Sequence, residues 1–297
     1  MRWAKGDRER DGLRRESGAR PRRPVYPAET VRIVFGAGYV GSRVAEQAAR
    51  RGEDVVATVR SAERAEQLAQ RGVLHVTREP VSEVARKLVD ESAHVIICFP
   101  PDGATDAELA PLLARARAVS YLSTTSVYGE TKGVIDDGTP VTDTPTPSQA
   151  RVLRAEAAYR AIGATVLRAP GIYGPDRGLH VRVRSGKHQI PGDGRGFVSR
   201  IHADDLAALL FASDAVRGET FVVGDLEPAP QRDVVAWICE HYGCDYPPSV
   251  PPEQVHETLR RDRRIDPTRA LHTLGVSLRH PSFRSGMQRE DDARTAD

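Results

Sequence analysis

From Val31 onward, short apolar runs alternate with stretches whose apolar residues recur every three or four positions. "VRIVF" reads as a buried strand. It leads into glycines, after which Val40, Val44 and Ala48 share one side of a helix. "DVVATVR", "VLHVTRE", "HVIICFP" and "VSYLSTT" read as further strands, with "SAERAEQLAQRG", "VSEVARKLVDESA" and "DAELAPLLARARA" as the helices between them. The run His94–Pro100 is nearly all apolar, which suits a parallel strand covered on both faces. This alternation predicts an α/β fold, a doubly wound parallel sheet of Rossmann type with right-handed crossovers.

The second half is less regular. "PSQARVLRAEAAYRAIG" predicts a helix of about four turns. "ATVLRAP" predicts a strand ending at Pro170, "ADDLAALLFASDA" a helix with Asp204 or Asp205 near its start, and "ETFVVGD" another strand. "GIYGPDRG" and "HQIPGDGRG" are loop-rich. The expected organisation is a basic, disordered arm over 1–28, then a sheet domain over 29–225 with inserted loops at about 171–200. A small, mostly helical lobe over 226–286 and a polar tail over 287–297 follow.

Composition narrows the function classes. The formal charge of +2 hides a basic arm: residues 1–24 hold nine Lys/Arg against four Asp/Glu, which leaves the rest of the chain mildly acidic. A nucleic-acid binder would carry its basic groups on a folded face, so no nucleic-acid partner is expected. The arm lacks the apolar core of a signal peptide, and no long uncharged apolar run suggests a membrane span. Cys98, Cys239 and Cys244 show neither metal-ligand spacing nor a disulfide framework, so no metal and a cytoplasmic location are expected.

"GAGYVG" fits G-x-G-x-x-G at Gly36, Gly38 and Gly41, with Tyr39 and Val40 completing the turn. Gly36 permits the tight turn, Gly38 lets a pyrophosphate approach the backbone, and Gly41 allows close helix–strand contact. Free amides and the helix dipole favour the anion. The second strand bears on which dinucleotide binds. Glu53 and Asp54 precede it, at the wrong end to hold ribose hydroxyls, whereas Arg60 follows it, with Arg64 close behind. Guanidinium groups there pair with a 2′-phosphate, so NADP is expected, with NAD the alternative. The fourth strand ends in "CFPPDG", where Phe99, Pro100 and Pro101 would line the cofactor's path.

Five stretches together resemble the extended short-chain dehydrogenase/reductase superfamily, and within it the atypical NAD-dependent epimerase/dehydratase-like proteins. They are "VFGAGYVG", "YLSTTSVYGE", "LRAPGIYGPDR", "IPGDGRGFVSRIHADDLA" and "RRIDPTRALHTLGVSLRHPSFRSG". The resemblance implies that Thr124 holds the reacting carbonyl or hydroxyl, with Ser123, Thr125 and Ser126 close enough to share that region. It implies cofactor contacts at Ser123 and Pro170, and substrate contacts from Thr125, Ser148, Tyr173, Arg177, Arg200 and His202. Arg177 and Arg200 suit an anionic substrate.

One departure is large. With Glu156 as anchor, the family's Tyr-x-x-x-Lys pair falls on Ser148 and Val152, and no tyrosine–lysine pair of that spacing occurs between residues 130 and 175. A serine hydroxyl is a far weaker acid than a phenol, and valine can neither hold ribose hydroxyls nor lower a neighbour's pKa. Tyr128 and Tyr173 are the replacement candidates beside Thr124, with His202 behind them. The expected function is an NAD(P)-dependent oxidoreductase or epimerase-like enzyme for a small carbonyl or hydroxyl metabolite or sugar derivative. The alternatives are an inactive NADP(H)-binding regulatory protein and a non-redox isomerase or lyase. The helix from Ser148 to Arg160 is compatible with a homodimer.

Overall fold

The computed structural model describes residues 30–288; the whole arm over 1–28 and most of the polar tail over 287–297 lie outside the described residues. The first half alternates as the hydrophobic pattern requires: β1 (Val31–Phe35), α1 (Gly41–Arg50), β2 (Asp54–Thr58), α2 (Ala62–Gln70), β3 (His75–Thr77), α3 (Val81–Leu88), β4 (His94–Ile97), α4 (Ala104–Leu112) and β5 (Ala118–Thr124). Next come β6 (Gly133–Ile135), α5 (Pro147–Ala161), β7 (Thr165–Ala169), β8 (Gly171–Tyr173), α6 (Leu179–Arg184), β9 (Ile190–Pro191), β10 (Phe197–Val198), β11 (Arg200–His202), α7 (Ala203–Ala212) and β12 (Thr220–Val222). The chain closes with β13 (Ala229–Pro230), α8 (Gln231–Tyr242), β14 (Ser249–Val250), β15 (Arg263–Ile265), α9 (Thr268–Leu274) and α10 (Phe283–Gly286).

Seven strands form one sheet in the order β12-β7-β5-β4-β1-β2-β3, with every pairing parallel. The order reverses at β1, so a crevice opens between β1 and β4 at their C-terminal ends, where ligands bind in such sheets. One face is covered by α1, α7 and α9, whose Val44, Leu206 and Ala270 pack with Val34 and Val55. The other is covered by α3, α4 and α5, which bury Val84, Leu109 and Tyr159 against Ile33, Val95 and Tyr121.

Two expected elements come out shorter. The helix read over "DAELAPLLARARA" stops at Leu112, immediately after Pro111, whose ring and missing N–H disfavour continuation. "VLHVTRE" pairs only over His75–Thr77, because β3 is an edge strand and Leu74, 83% exposed, has no second face to cover it. The lobe is also more interwoven than a separate segment would be. β10 pairs with β13 and β9 with β14, so the 171–200 loops and the chain after 226 build it jointly around Tyr173, Val183, Val234, Ile238 and Phe283. Helix α9 returns to the sheet, and β15 pairs with β6.

A buried ion pair links β7 to α5. Arg168 donates to Glu156 Oε1 at 3.0 Å and Oε2 at 2.7 Å, and its Nη1 donates to the Tyr128 hydroxyl at 3.1 Å. Ser123 on β5 donates to the same carboxylate at 2.5 Å. All four side chains are buried, so removal of the carboxylate would strand a cation in a dry interior. Glu156→Ala is therefore expected to lower the unfolding free energy by about 3–5 kcal/mol, read from the urea midpoint; a loss below about 1 kcal/mol would contradict the pair's role.

Candidate active site

The glycine turn lies where β1 enters α1. Gly36 has φ +83°, and a Cβ there would stand 2.8 Å from the Phe99 nitrogen and 2.9 Å from its Cβ, so Phe99 at the end of β4 backs the turn directly. Thr58 holds Gly36 in place: its hydroxyl accepts from the Gly36 N–H at 2.9 Å, while its carbonyl accepts from Ala37 at 2.8 Å. A Cβ on Gly41 would meet the Gly36 carbonyl oxygen at 2.5 Å. Gly38 is different, because it is exposed and a Cβ on it would meet nothing closer than 4.0 Å. Nothing within the fold crowds a side chain at Gly38. The side chains of the turn are anchored too: Arg43 Nη1 donates to the Tyr39 carbonyl at 2.7 Å and Nε to Asp204 at 2.7 Å, while Val40 is buried. Burial, with the Asp176 carboxylate nearby, pushes the Tyr39 phenol up to about 12.

The end of β2 is basic. Arg60 is exposed there, and Ser61 caps α2 by accepting from the Arg64 N–H at 3.2 Å. Arg64 bonds to Gln67 at 3.1 Å. Arg78, just past β3 and unremarked in the sequence, donates to the Arg60 carbonyl at 3.3 Å. Both acceptors are uncharged, which leaves the guanidinium charges available. Glu53 is turned away at the opposite end of the strand, where it accepts from Arg32 at 2.9 Å. Beyond Phe99, Pro100 is exposed and Pro101 half-buried. They lead to Asp102, which accepts from the Thr105 N–H at 2.8 Å in the first turn of α4.

Thr124 ends β5 half-buried, its hydroxyl accepting from the Ser126 N–H at 3.1 Å. Two neighbours turn inward instead. The Ser123 hydroxyl is committed to Glu156 rather than to a cofactor, and Tyr128 is fully buried under Arg168, with burial raising its phenol's pKa. That corrects the expectation of Tyr128 as proton donor, because the phenol has neither solvent nor cleft beside it. Thr125 is also buried, and its carbonyl accepts from Arg263 at 2.8 Å. Of the residues at the usual tyrosine and lysine positions, Ser148 is exposed in the first turn of α5 and Val152 is buried against Val127 and Tyr128.

A cavity of about 430 Å³ opens beyond Pro170, between β8, α6 and β11. Tyr173, Arg177, Val198, Arg200, Leu259 and Met287 line it. Arg177 is exposed at its rim and Arg200 is buried in its wall. The Tyr173 phenol donates to the Ser282 carbonyl at 3.2 Å, and burial raises its pKa. His202 acts as the N-cap of α7: its Nδ1 accepts from the Asp204 N–H at 3.2 Å, and burial lowers its pKa to about 4, aided by His280. That geometry makes His202 a structural residue rather than a proton carrier. His202, Asp204 and His280 bring polar atoms within 4.8 Å of one another, but Arg43 already occupies the Asp204 carboxylate. Burial also pushes the Cys98 thiol up to about 12, far from a nucleophile's range.

A family model described as "NADP oxidoreductase coenzyme F420-dependent" matches residues 30–123. A 3-diazoavenalumate denitrifying reductase from a Streptomyces species is 29% identical over 235 residues, covering 71% of this chain and 73% of its own. A functionally unknown conserved protein from Silicibacter pomeroyi has a solved structure that superposes with a TM-score of 0.74 at 29% identity, over 90% of this chain and 99% of that one. A UDP-glucuronic acid 4-epimerase from Bacillus cereus, in complex with NAD, superposes at 0.71 with 19% identity, over 89% and 99%. The chain thus shares its fold with these proteins across nearly all its described length. The segment matched by the NADP oxidoreductase model includes the glycine turn at Gly36–Gly41. No helix among the described residues is long and apolar enough to cross a membrane.

The glycines separate ligand contact from fold. Gly38→Ala is expected to weaken NADP⁺ binding by about tenfold or more with a thermal midpoint within about 2 °C of the parent. Gly41→Ala is expected to lower the midpoint itself, because the methyl group collides with the Gly36 carbonyl. Calorimetric titration and thermal melts of both variants check this; equal melting losses would contradict it.

Proposed function

We propose that the protein is an NADP(H)-dependent reductase of a small electrophilic metabolite whose reduction needs no tyrosine acid. The observation that carries this reading is the replacement of the usual acid and its lysine by exposed Ser148 and buried Val152, while Thr124 keeps its hydroxyl at the strand end. No nearby group restores the lost acidity: Tyr128 lies under Arg168, Tyr173 is bonded to a carbonyl, and His202 caps a helix.

The turn from Gly36 to Gly41 would hold the pyrophosphate on its amides and the α1 dipole. Arg60, Arg64 and Arg78 would hold the 2′-phosphate, and Phe99 to Pro101 with Pro170 would border the nicotinamide side. When bound, the reduced cofactor would supply a hydride, which a cationic acceptor can take without a proton on oxygen, a diazonium by releasing N2 and an iminium by becoming the neutral amine. Thr124 would orient the acceptor through its hydroxyl, and the apolar walls of the adjoining cavity would exclude water. The Streptomyces relative, named as a reductase of a diazo compound, fits this class of chemistry. A cofactor binder without turnover is the second reading, since the same Ser148 and Val152 suit it.

Turnover separates the two. Incubation with 4-deuterated NADPH and a panel of diazonium and iminium acceptors is expected to transfer deuterium to product. Thr124→Ala is expected to reduce the rate by about ten- to a hundredfold with NADPH affinity unchanged. Tight binding with no deuterium transfer across the panel would favour the binder. The arginines are tested independently: Arg60→Ala with Arg78→Ala is expected to raise the Kd for NADPH by about tenfold per lost charge-assisted bond and leave that for NADH unchanged.

A further inference from the structure

The cavity wall holds a charge that nothing neutralises directly. Arg200 is 4% exposed, yet neither Nη1 nor Nη2 has a hydrogen-bond partner. Its guanidinium sits 5.2 Å from the Phe283 ring centroid, a weak compensation for a buried cation. Asp225 acts on it electrostatically, and the two backbones are joined, since the Asp225 N–H donates to the Arg200 carbonyl at 2.7 Å. Their charged ends nevertheless do not meet: both carboxylate oxygens of Asp225 are buried without a partner as well. The same molecule shows how a self-sufficient pair looks, in the two short bonds from Arg168 to Glu156. Arg200 and Asp225 are held side by side but left open.

The remaining walls say what would fill the gap. Ile172, Leu179, Val198, Leu259 and Met287 are apolar, and the volume of about 430 Å³ suits a compact metabolite. Arg177 and Arg182 stand exposed at the rim, where they add positive potential against a single acid, Asp176. Two parallel donors from one guanidinium match the two oxygens of a carboxylate. A phosphate dianion would bring more charge than one arginine can balance beside Asp225. Burial lifts the Asp225 carboxyl to about 7, so near neutrality it can carry a proton and donate to a bound anion instead of repelling it.

We propose that this cavity binds a compact, apolar monocarboxylate, its carboxylate paired with the Arg200 guanidinium and its hydrocarbon part against the apolar walls. The inference rests on the cavity's being the substrate site of the reductase, and it names the class of substrate. trans-Cinnamate is a suitable probe and cinnamamide its neutral counterpart. Each is titrated calorimetrically into the full chain with and without NADP⁺, with inorganic phosphate as the rival anion.

Cinnamate is expected to bind about tenfold or more tightly than cinnamamide, and phosphate is not expected to displace it. Arg200→Met is expected to erase the preference for the acid while NADP⁺ still binds. Should that variant fail to fold, Arg200→Lys keeps the charge without the fork and is expected to weaken cinnamate by about tenfold. Equal binding of acid and amide, no binding of cinnamate, displacement by phosphate, or an Arg200→Met variant that still prefers the acid would overturn the proposal. A failure of NADP⁺ uptake would strike the reductase reading alone, because the titration without nucleotide reports on the cavity directly.

Discussion

The close approach of three backbones, at Gly36, Gly41 and Phe99, sets the position of everything around the site. Gly36 leaves no room for a Cβ against Phe99, and Gly41 leaves none against the Gly36 carbonyl. Helix α1 can therefore start only where it does, its free amides facing the crevice between β1 and β4. Arg43 extends the constraint from the first turn of that helix to Asp204 at the start of α7, and Tyr39 extends it to Gly174 in the loop after β8. The glycine turn and the cavity beside α6 are thus fixed relative to each other through these contacts.

The interior holds two arginines in opposite states. Arg168 is fully answered by Glu156, with Ser123 and Tyr128 completing the network. This network takes up two hydroxyls that would otherwise stand near the chemistry, and it braces α5, the helix on which the missing pair would sit. Arg200 is answered by nothing within bonding distance. A protein that can build the first arrangement has no physical need to leave the second open, unless something else completes it. The first arrangement also draws proton donors away from Thr124, since Ser123 bonds to Glu156 and Tyr128 to Arg168.

Much of the fold was legible in the chain. The largely apolar runs of β1 and β4, broken by Arg32 and led by His94, required a sheet covered on both sides, and the glycine spacing required a tight turn at a helix start. Both are local rules of period and sterics, so neighbouring residues suffice to read them. The ends of α4 and β3 were less legible, because Pro111 and an edge position decide them. The lobe was least legible, since β9 and β10 each pair with a strand about thirty to sixty residues away and carry only two residues of pattern.

By itself, the sequence determined a Rossmann-type sheet, a G-x-G-x-x-G turn at Gly36–Gly41, a basic residue in place of an acidic one after β2, and serine and valine at positions 148 and 152 of α5. Those properties follow from residue identity and spacing along one stretch of chain. Only the tertiary structure decided that Tyr128 faces an arginine, that His202 caps a helix, that Arg78 joins Arg60, and that Arg200 is buried without a partner. Each of these depends on which distant side chain arrives at the same place, and burial then fixes the charge or bond that results.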